Sequence, residues 1–252
     1  MRSRIITLGL AATALFNSGA ASLADAPAPA AAPAPAASSA PAAAPTAAPA
    51  PAAASAPAAA PTAAPTAAPE PLAIGAVIPM ANTPMAGVDG KSASIAAVAG
   101  KQGTLVIFMC HHCPWVKAWQ SRIAEVGNAA MKQGVSVIAI NSNDPSAYPE
   151  DTFDEMVKRA KDAGYAFPYV VDATSDVARF FGASHTPEAF LFGPDGKLVY
   201  HGAVDDNAQE PQSVKSRWLA DAVTAVAAGK PVATPETKAM GCGIKYREKS
   251  PD

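Results

Sequence analysis

Charge and aromatic rings are both sparse in this 252-residue chain: charged side chains make up 16% and aromatic ones 6%. No apolar run approaches the roughly 20 residues that a membrane-spanning helix needs. The formal net charge is only −2 and no stripe of Lys and Arg gathers anywhere, which argues against nucleic acid or an anionic membrane surface as a partner. Cysteine is scarce too. There are three, and two of them stand three positions apart, a spacing that would staple almost nothing as a structural disulfide. Between Pro27 and Pro71 the absences are more severe, with no aromatic residue and a single charge, Glu70. That stretch cannot build a core.

What fills residues 27–71 is Ala and Pro with scattered Ser and Thr. Closely spaced prolines deny a continuous helix and favour extended polyproline II, a semi-rigid spacer on the order of 140 Å at full extension. The segment reads as a disordered linker or tether. Ahead of it, Arg2 and Arg4 precede the apolar run Ile5 to Phe16 and small-x-small sites ending at Ala24 and Ala26. This is the pattern of a secretory signal peptide over residues 1–26, and it predicts a periplasmic or otherwise exported protein without a transmembrane helix once the signal is cleaved. Residues 72–252 remain, a normal length for one folded domain.

Within that domain, Thr104 to Met109 is an apolar strand that delivers Cys110-His111-His112-Cys113 onto Pro114 and a helical stripe of Trp115, Val116, Trp119, Ile123, Val126 and Met131. At a helix N-terminus the unpaired N–H groups and the positive end of the macrodipole stabilise an anion, so a thiol placed there becomes nucleophilic near neutral pH. A second thiol one turn on can resolve a mixed disulfide. The alternatives are an inert buried pair or half of a zinc site, and a structural zinc site needs four ligands where only one further thiolate, Cys242, exists.

Downstream, Val135 to Ile140 suits a buried strand, and a helix is expected from Pro149 to Gly164 with Phe153, Met156, Val157 and Ala160 inward and Asp151, Asp154 and Glu155 in its first turns. Phe167 to Val171 reads as a strand and Ser175 to Phe181 as a short helix closed by Gly182. The run from His185 to Gly202 forms two strands around Pro194-Asp195-Gly196, and a last helix is expected over 212–228 with Val214, Trp218, Leu219, Val223 and Val226 inward. Upstream, Val88 to Lys91 marks another hairpin turn. Together these give an α/β fold, a mixed sheet covered by helices on both faces.

This order, with Cys-x-x-Cys after the first long strand and Thr186-Pro187 before the hairpin, resembles the thioredoxin-like superfamily, and the segment from Ile74 onward resembles its redoxin branch of peroxiredoxin-like thiol-disulfide oxidoreductases. The Thr186-Pro187-Glu188 strand, the Gly202 to Asp206 segment and the Gly241-Cys242-x-Ile244-Lys245 tail match the peroxiredoxin-like group. The resemblance implies a thioredoxin-like fold in which Cys110 attacks, Cys113 resolves and Pro187 is a cis proline facing the dithiol, with the backbone of Thr186 free to pair with an extended substrate. The redox-active disulfide would need no cofactor, and the partners would be protein or small-molecule thiols and disulfides plus an upstream electron donor or acceptor protein. Positions 103–109 lack the Pro-x-x-x-Thr/Ser-x-x-Cys motif of peroxiredoxins.

Several residues carry further expectations. His111 and His112 lie where a protonated imidazole would stabilise the thiolate, with His112 the better placed. Cys242 reads equally as a third redox thiol, an intermolecular thiol or a bystander. His185 is expected near the dithiol, so that Cys110, Cys113 and His185 form an alternative Cu(I) set for a copper-binding or delivery module. A thiol-dependent peroxidase, an antioxidant in which Cys110 becomes a sulfenic acid, is the other alternative. His201 is expected to face outward, Asp205-Asp206 to form a solvated turn, and Trp115 and Trp119 to line the core or the rim beside the thiols.

Overall fold

The computed structural model describes residues 70–248. The signal-peptide expectation for residues 1–26 and nearly all of the Ala/Pro linker, residues 27–69, lie outside the described residues. The elements in chain order are strands β1 (Met85–Gly87) and β2 (Ser92–Ala93), helix α1 (Ile95–Val98), β3 (Gly103–Phe108), α2 (Pro114–Lys132), β4 (Val135–Asn141), α3 (Phe153–Ala163), β5 (Tyr169–Val171), α4 (Asp176–Phe181), β6 (His185–Thr186), β7 (Glu188–Phe192), β8 (Leu198–Gly202), α5 (Trp218–Ala227) and β9 (Cys242–Gly243). Seven strands form one sheet in the order β2-β1-β5-β4-β3-β7-β8, and β6 pairs with β9 in a separate two-stranded ribbon.

The sheet centre is parallel, β3 with β4 and β4 with β5, while β7 and β8 continue antiparallel from β3. Parallel strands buried on both faces read as continuous apolar runs, and β3 obeys this with every residue buried. Alternation along β3 splits the core. Leu105 and Ile107 join Trp119 and Ile123 of α2, Met156 of α3 and Leu219 and Val223 of α5 on one face. Val106 and Phe108 join Ile95 of α1, Val177 and Phe181 of α4 and Phe190 and Phe192 of β7 on the other. Phe181 packs edge-on against Phe108, Phe190 and Phe192, so truncating it to Ala would open a cavity costing about 3–5 kcal/mol. This is the thioredoxin-like architecture.

The element order follows the sequence closely, and the differences have local causes. The helix expected from Pro149 is broken: Pro149–Asp151 form one 3-10 turn, Thr152 is extended, and α3 begins at Phe153. Only Met156 and Ala160 of its expected inner face are buried, whereas Phe153 and Val157 are exposed. The last helix starts at Trp218, and Val214 follows a separate 3-10 turn at Pro211–Ser213.

Candidate active site

The carboxyl ends of β3 and β4 meet at the same rim, where ligand sites of parallel sheets form. Here β3 gives way to Cys110, and Cys113 becomes the N-cap of α2 with Pro114 at its first position, where the missing N–H costs nothing. Both cysteines are free thiols with 0% exposure. Opposite them stands Thr186, joined to Pro187 by a cis peptide. Cys110 Sγ lies 3.1 Å from Thr186 Oγ1, and Cys113 Sγ donates to the Thr186 carbonyl oxygen, also at 3.1 Å.

The two thiols ionise as a pair. Hydrogen bonding with Cys113, burial and the Asp151 charge push the Cys110 thiol up, while the Thr186 hydroxyl and the Cys113 N–H pull against them. Cys113 is drawn down to about 4, first by its hydrogen bond with Cys110, against burial, with the Cys242 thiol and the N–H groups of Val116 and Cys242 adding to the pull. One proton shared between two sulfurs leaves the pair easy to ionise once and hard to ionise twice.

Beneath the loop lies a residue that sequence reading placed only as a helix-start acid. Asp151 is 2% exposed. Its Oδ1 accepts the N–H groups of His111 and His112 at 2.6 and 3.1 Å, and its Oδ2 meets His112 Nδ1 at 2.5 Å and accepts from Asn143 Nδ2 at 2.8 Å. Burial opposes its ionisation, yet the bonds from His111, Asn143 and His112 and the charge of His112 outweigh it and hold the carboxyl below the usual range. Asn143 was missed as well; its position just past the end of β4, the rim that also holds Cys110, is the signal that points to it.

The two histidines differ. His112 pairs with Asp151 and stacks on Tyr148 at 3.8 Å between ring centroids. His111 is buried edge-on against Tyr169, its Nε2 has no hydrogen-bond partner, and burial with the charges of Arg159 and Lys117 lowers it to about 4, against the pull of Asp151. It is therefore neutral at pH 7 and supplies no charge to the thiols.

Cys242 is brought to the site by β9. It pairs with Thr186 across the ribbon and packs against the cluster holding Cys110 and Cys113. Its thiol is raised to about 11 by burial, by the hydrogen bond with Cys113 and by that sulfur's charge.

His185 does not join the thiols in a metal set. Its Nδ1 faces Ser184 Oγ at 2.8 Å, and among the described residues the donor atoms lying within 4.8 Å of one another belong to Cys110, His112 and Asp151. The Asp151 oxygens in that group already meet four hydrogen-bonding groups. Two other expectations are corrected. His201 is buried, 6% exposed, with Nε2 2.7 Å from the buried Glu188 carboxylate, because Glu188 on the neighbouring strand turns the same way. Asp205 is no solvated turn residue: it is 4% exposed, accepts Trp119 Nε1 at 2.7 Å and pairs with Arg122, both supplied by α2. Trp119 is core, and Trp115 packs half-buried against the thiol cluster.

Comparisons with known proteins bear on the family and the fold. The AhpC/TSA family model matches residues 74–201. A crystal structure of an uncharacterized conserved protein from Geobacillus kaustophilus is 35% identical, with 71% of this chain and 94% of that one aligned at a TM-score of 0.65. A thioredoxin-like protein solved in its oxidized form shares the fold at 18% identity and a TM-score of 0.50, over 61% of this chain and 97% of that one. Thiol-disulfide oxidoreductase ResA of Halalkalibacterium halodurans is 28% identical over 112 residues, 44% of this chain. The chain thus spans 59% of the length of that curated relative. With the family model covering half of the sequence, the chain belongs to the AhpC/TSA family, in its thioredoxin-like, redoxin form.

Proposed function

We propose that the protein is an exported thiol-disulfide oxidoreductase working through Cys110 and Cys113. The observation that carries this reading is the shared contact of both sulfurs with Thr186, the hydroxyl at 3.1 Å from Cys110 and the carbonyl at 3.1 Å from Cys113. Membership of the redoxin family and likeness to a relative named a thiol-disulfide oxidoreductase support it. Export rests on the signal-peptide pattern of residues 1–26, and among the described residues no helix is long and apolar enough to cross a membrane.

In the reduced pair the hydrogen bonding keeps the proton on Cys110 and the charge on Cys113. In this mechanism that proton passes to Cys113 as Cys110 Sγ, held by the Thr186 hydroxyl and the Cys113 N–H, attacks one sulfur of a partner disulfide. The partner's other sulfur leaves as a thiolate and takes the proton from Cys113. Cys113, its proton given up, then attacks Cys110 Sγ and expels the partner's remaining sulfur. One disulfide breaks in the partner and one forms between Cys110 and Cys113, so two electrons pass from the protein to the partner; the reverse sequence oxidises a partner dithiol. Hydrogen bonds that favour a thiolate stabilise the reduced form and make the disulfide more oxidising.

The test is the midpoint potential of the Cys110–Cys113 couple in glutathione redox buffers, read by alkylation and mass. A reversible two-electron transition above about −200 mV is expected, in the upper half of the range from thioredoxin to strong periplasmic oxidants. Absence of an intramolecular Cys110–Cys113 disulfide at every poise would overturn the reading.

A further inference from the structure

The strand edge that an incoming peptide would use is already occupied by the protein's own chain. In the ribbon, Thr186 faces Cys242 and His185 faces Gly243 in antiparallel register. The approach is so close that a Cβ on Gly241 would sit 2.1 Å from the Thr186 carbonyl oxygen, the atom to which Cys113 donates, so only glycine fits. The segment is clamped on both sides. Upstream, Thr237 N–H donates to the His201 carbonyl at 3.0 Å and its hydroxyl accepts from Ala203 N–H at 3.0 Å. Downstream, Ile244 N–H donates to the Ser184 carbonyl at 2.9 Å, Lys245 N–H to Asn143 Oδ1 at 2.8 Å, and Ile244 enters the core. Met240 and Cys242 pack against the cluster holding both site thiols, each 0% exposed, so this strap is part of what closes the dithiol from solvent.

Accepting the dithiol reading above, we propose that residues 240–245 act as a tethered substrate strand, with Cys242 in the place of a substrate cysteine, exchanging disulfide with Cys113. In the oxidised protein the Cys242 thiolate attacks Cys113 Sγ. The Cys113–Cys242 bond forms, the Cys110–Cys113 bond breaks, and Cys110 leaves as a thiolate that takes up the proton Cys242 lost. No net oxidation occurs, so no external oxidant or reductant is required. The external partner is then an extended, cysteine-containing peptide segment that displaces the strap from Thr186.

The test uses the full chain and its Cys110→Ser variant in oxidising glutathione buffer, acid-quenched, alkylated and mapped by mass spectrometry, with circular dichroism as the check on folding. The variant is expected to hold Cys113 and Cys242 mainly as one intramolecular disulfide, with a yield unchanged on tenfold dilution. The unaltered chain is expected to show the same linkage as a minor isomer beside Cys110–Cys113. Adding Gly241→Val, which drives a side chain into the Thr186 carbonyl, is expected to cut Cys113–Cys242 formation at least tenfold while the single variant Gly241→Val still forms Cys110–Cys113. The proposal is overturned if Cys113 and Cys242 appear only as glutathione adducts or intermolecular links while Cys110–Cys113 forms normally, or if Gly241→Val leaves the exchange intact. Loss of the Cys110–Cys113 disulfide itself from the unaltered chain would instead defeat the underlying reading.

Discussion

Asp151 and Asp205 are both buried acids on irregular segments, yet their neighbours give them different work. Asp205 faces a permanent cation, Arg122, and an indole N–H, both from α2. Arg122 also donates to the carbonyls of Asn207 and Ala208, so the pair ties the segment after β8 to the helix. Asp151 has no such fixed counter-charge among its partners. It accepts from two backbone N–H groups, an amide and a histidine, all on or beside the loop that carries the thiols. A buried acid matched to a guanidinium ties chain segments together, whereas one matched to peptide dipoles and an imidazole sets the electrostatics of the site it underlies.

Breaking the first arrangement has the largest expected effect. Asp205→Ala leaves the half-buried Arg122 without its carboxylate and the buried Trp119 Nε1 without an acceptor, and a loss of about 3–5 kcal/mol in urea unfolding is expected, with the midpoint potential of the dithiol nearly unchanged.

The loop above Asp151 carries the next effect. His111, lowered to about 4, binds its proton far more readily in the unfolded chain than in the folded one. Stability contributed by keeping it neutral is complete at pH 7 and is lost as pH falls from about 6.5 toward 4, up to about 3 kcal/mol. Chemical unfolding from pH 7 to 4.5 is expected to show that slope in the unaltered protein and to lose most of it in His111→Phe. The depressed Asp151 carboxyl acts in a different window: its stability is present above the unfolded carboxylate value of about 3.9 and is lost below it.

Asp151→Asn sharpens the comparison further. Its charge raises Cys110, so removing it makes Cys110 easier to ionise and the reduced form more stable. A positive shift of about 30 mV in midpoint potential, equivalent to about 1.4 kcal/mol, is expected. The smallest effect belongs to a half-exposed acid on α3. Glu155 sits 3.9 Å from Lys158 and 3.8 Å from Arg159, and Glu155→Gln is expected to change stability by less than about 0.5 kcal/mol and the potential not at all.

How much of this was legible in the sequence follows from the range of the interactions. Strands β3 and β4, helix α2 and the β7–β8 hairpin announce themselves through apolar period and turn residues, which are local signals. The Cys110-His-His-Cys113 loop at a helix start is local too, and Thr186-Pro187 is reached through the family resemblance. What escaped was long-range. Asp205 reads as a solvated acid until Arg122 and Trp119, eighty-odd positions earlier, arrive beside it. Asp151 reads as helix-start decoration because its partners at 111, 112 and 143 are brought together only by the parallel pairing of β3 and β4. The sequence separates His112 from His111 only by its place next to Cys113, and does not tell that one turns inward against Tyr169 and the other stacks on Tyr148.

The segment that pins Thr237 against Gly202 also has a bearing on solubility. β8 ends the seven-stranded order, and its outer edge is a row of backbone groups that a neighbouring molecule could pair with. That edge is sealed at one end by Gly75 and Ala76 on Leu198, and at the other by Pro235 and Thr237 on His201. Because a Cβ at Gly202 would meet Thr237 Oγ1 at 2.0 Å, the seal at His201 depends on one glycine. The stretch that guards the sheet against edge-to-edge aggregation therefore runs straight on into the strap over the dithiol. A covered sheet edge and a shielded thiol pair depend on one continuous run of chain, so mutations that loosen the tail expose a sticky edge and both site sulfurs together.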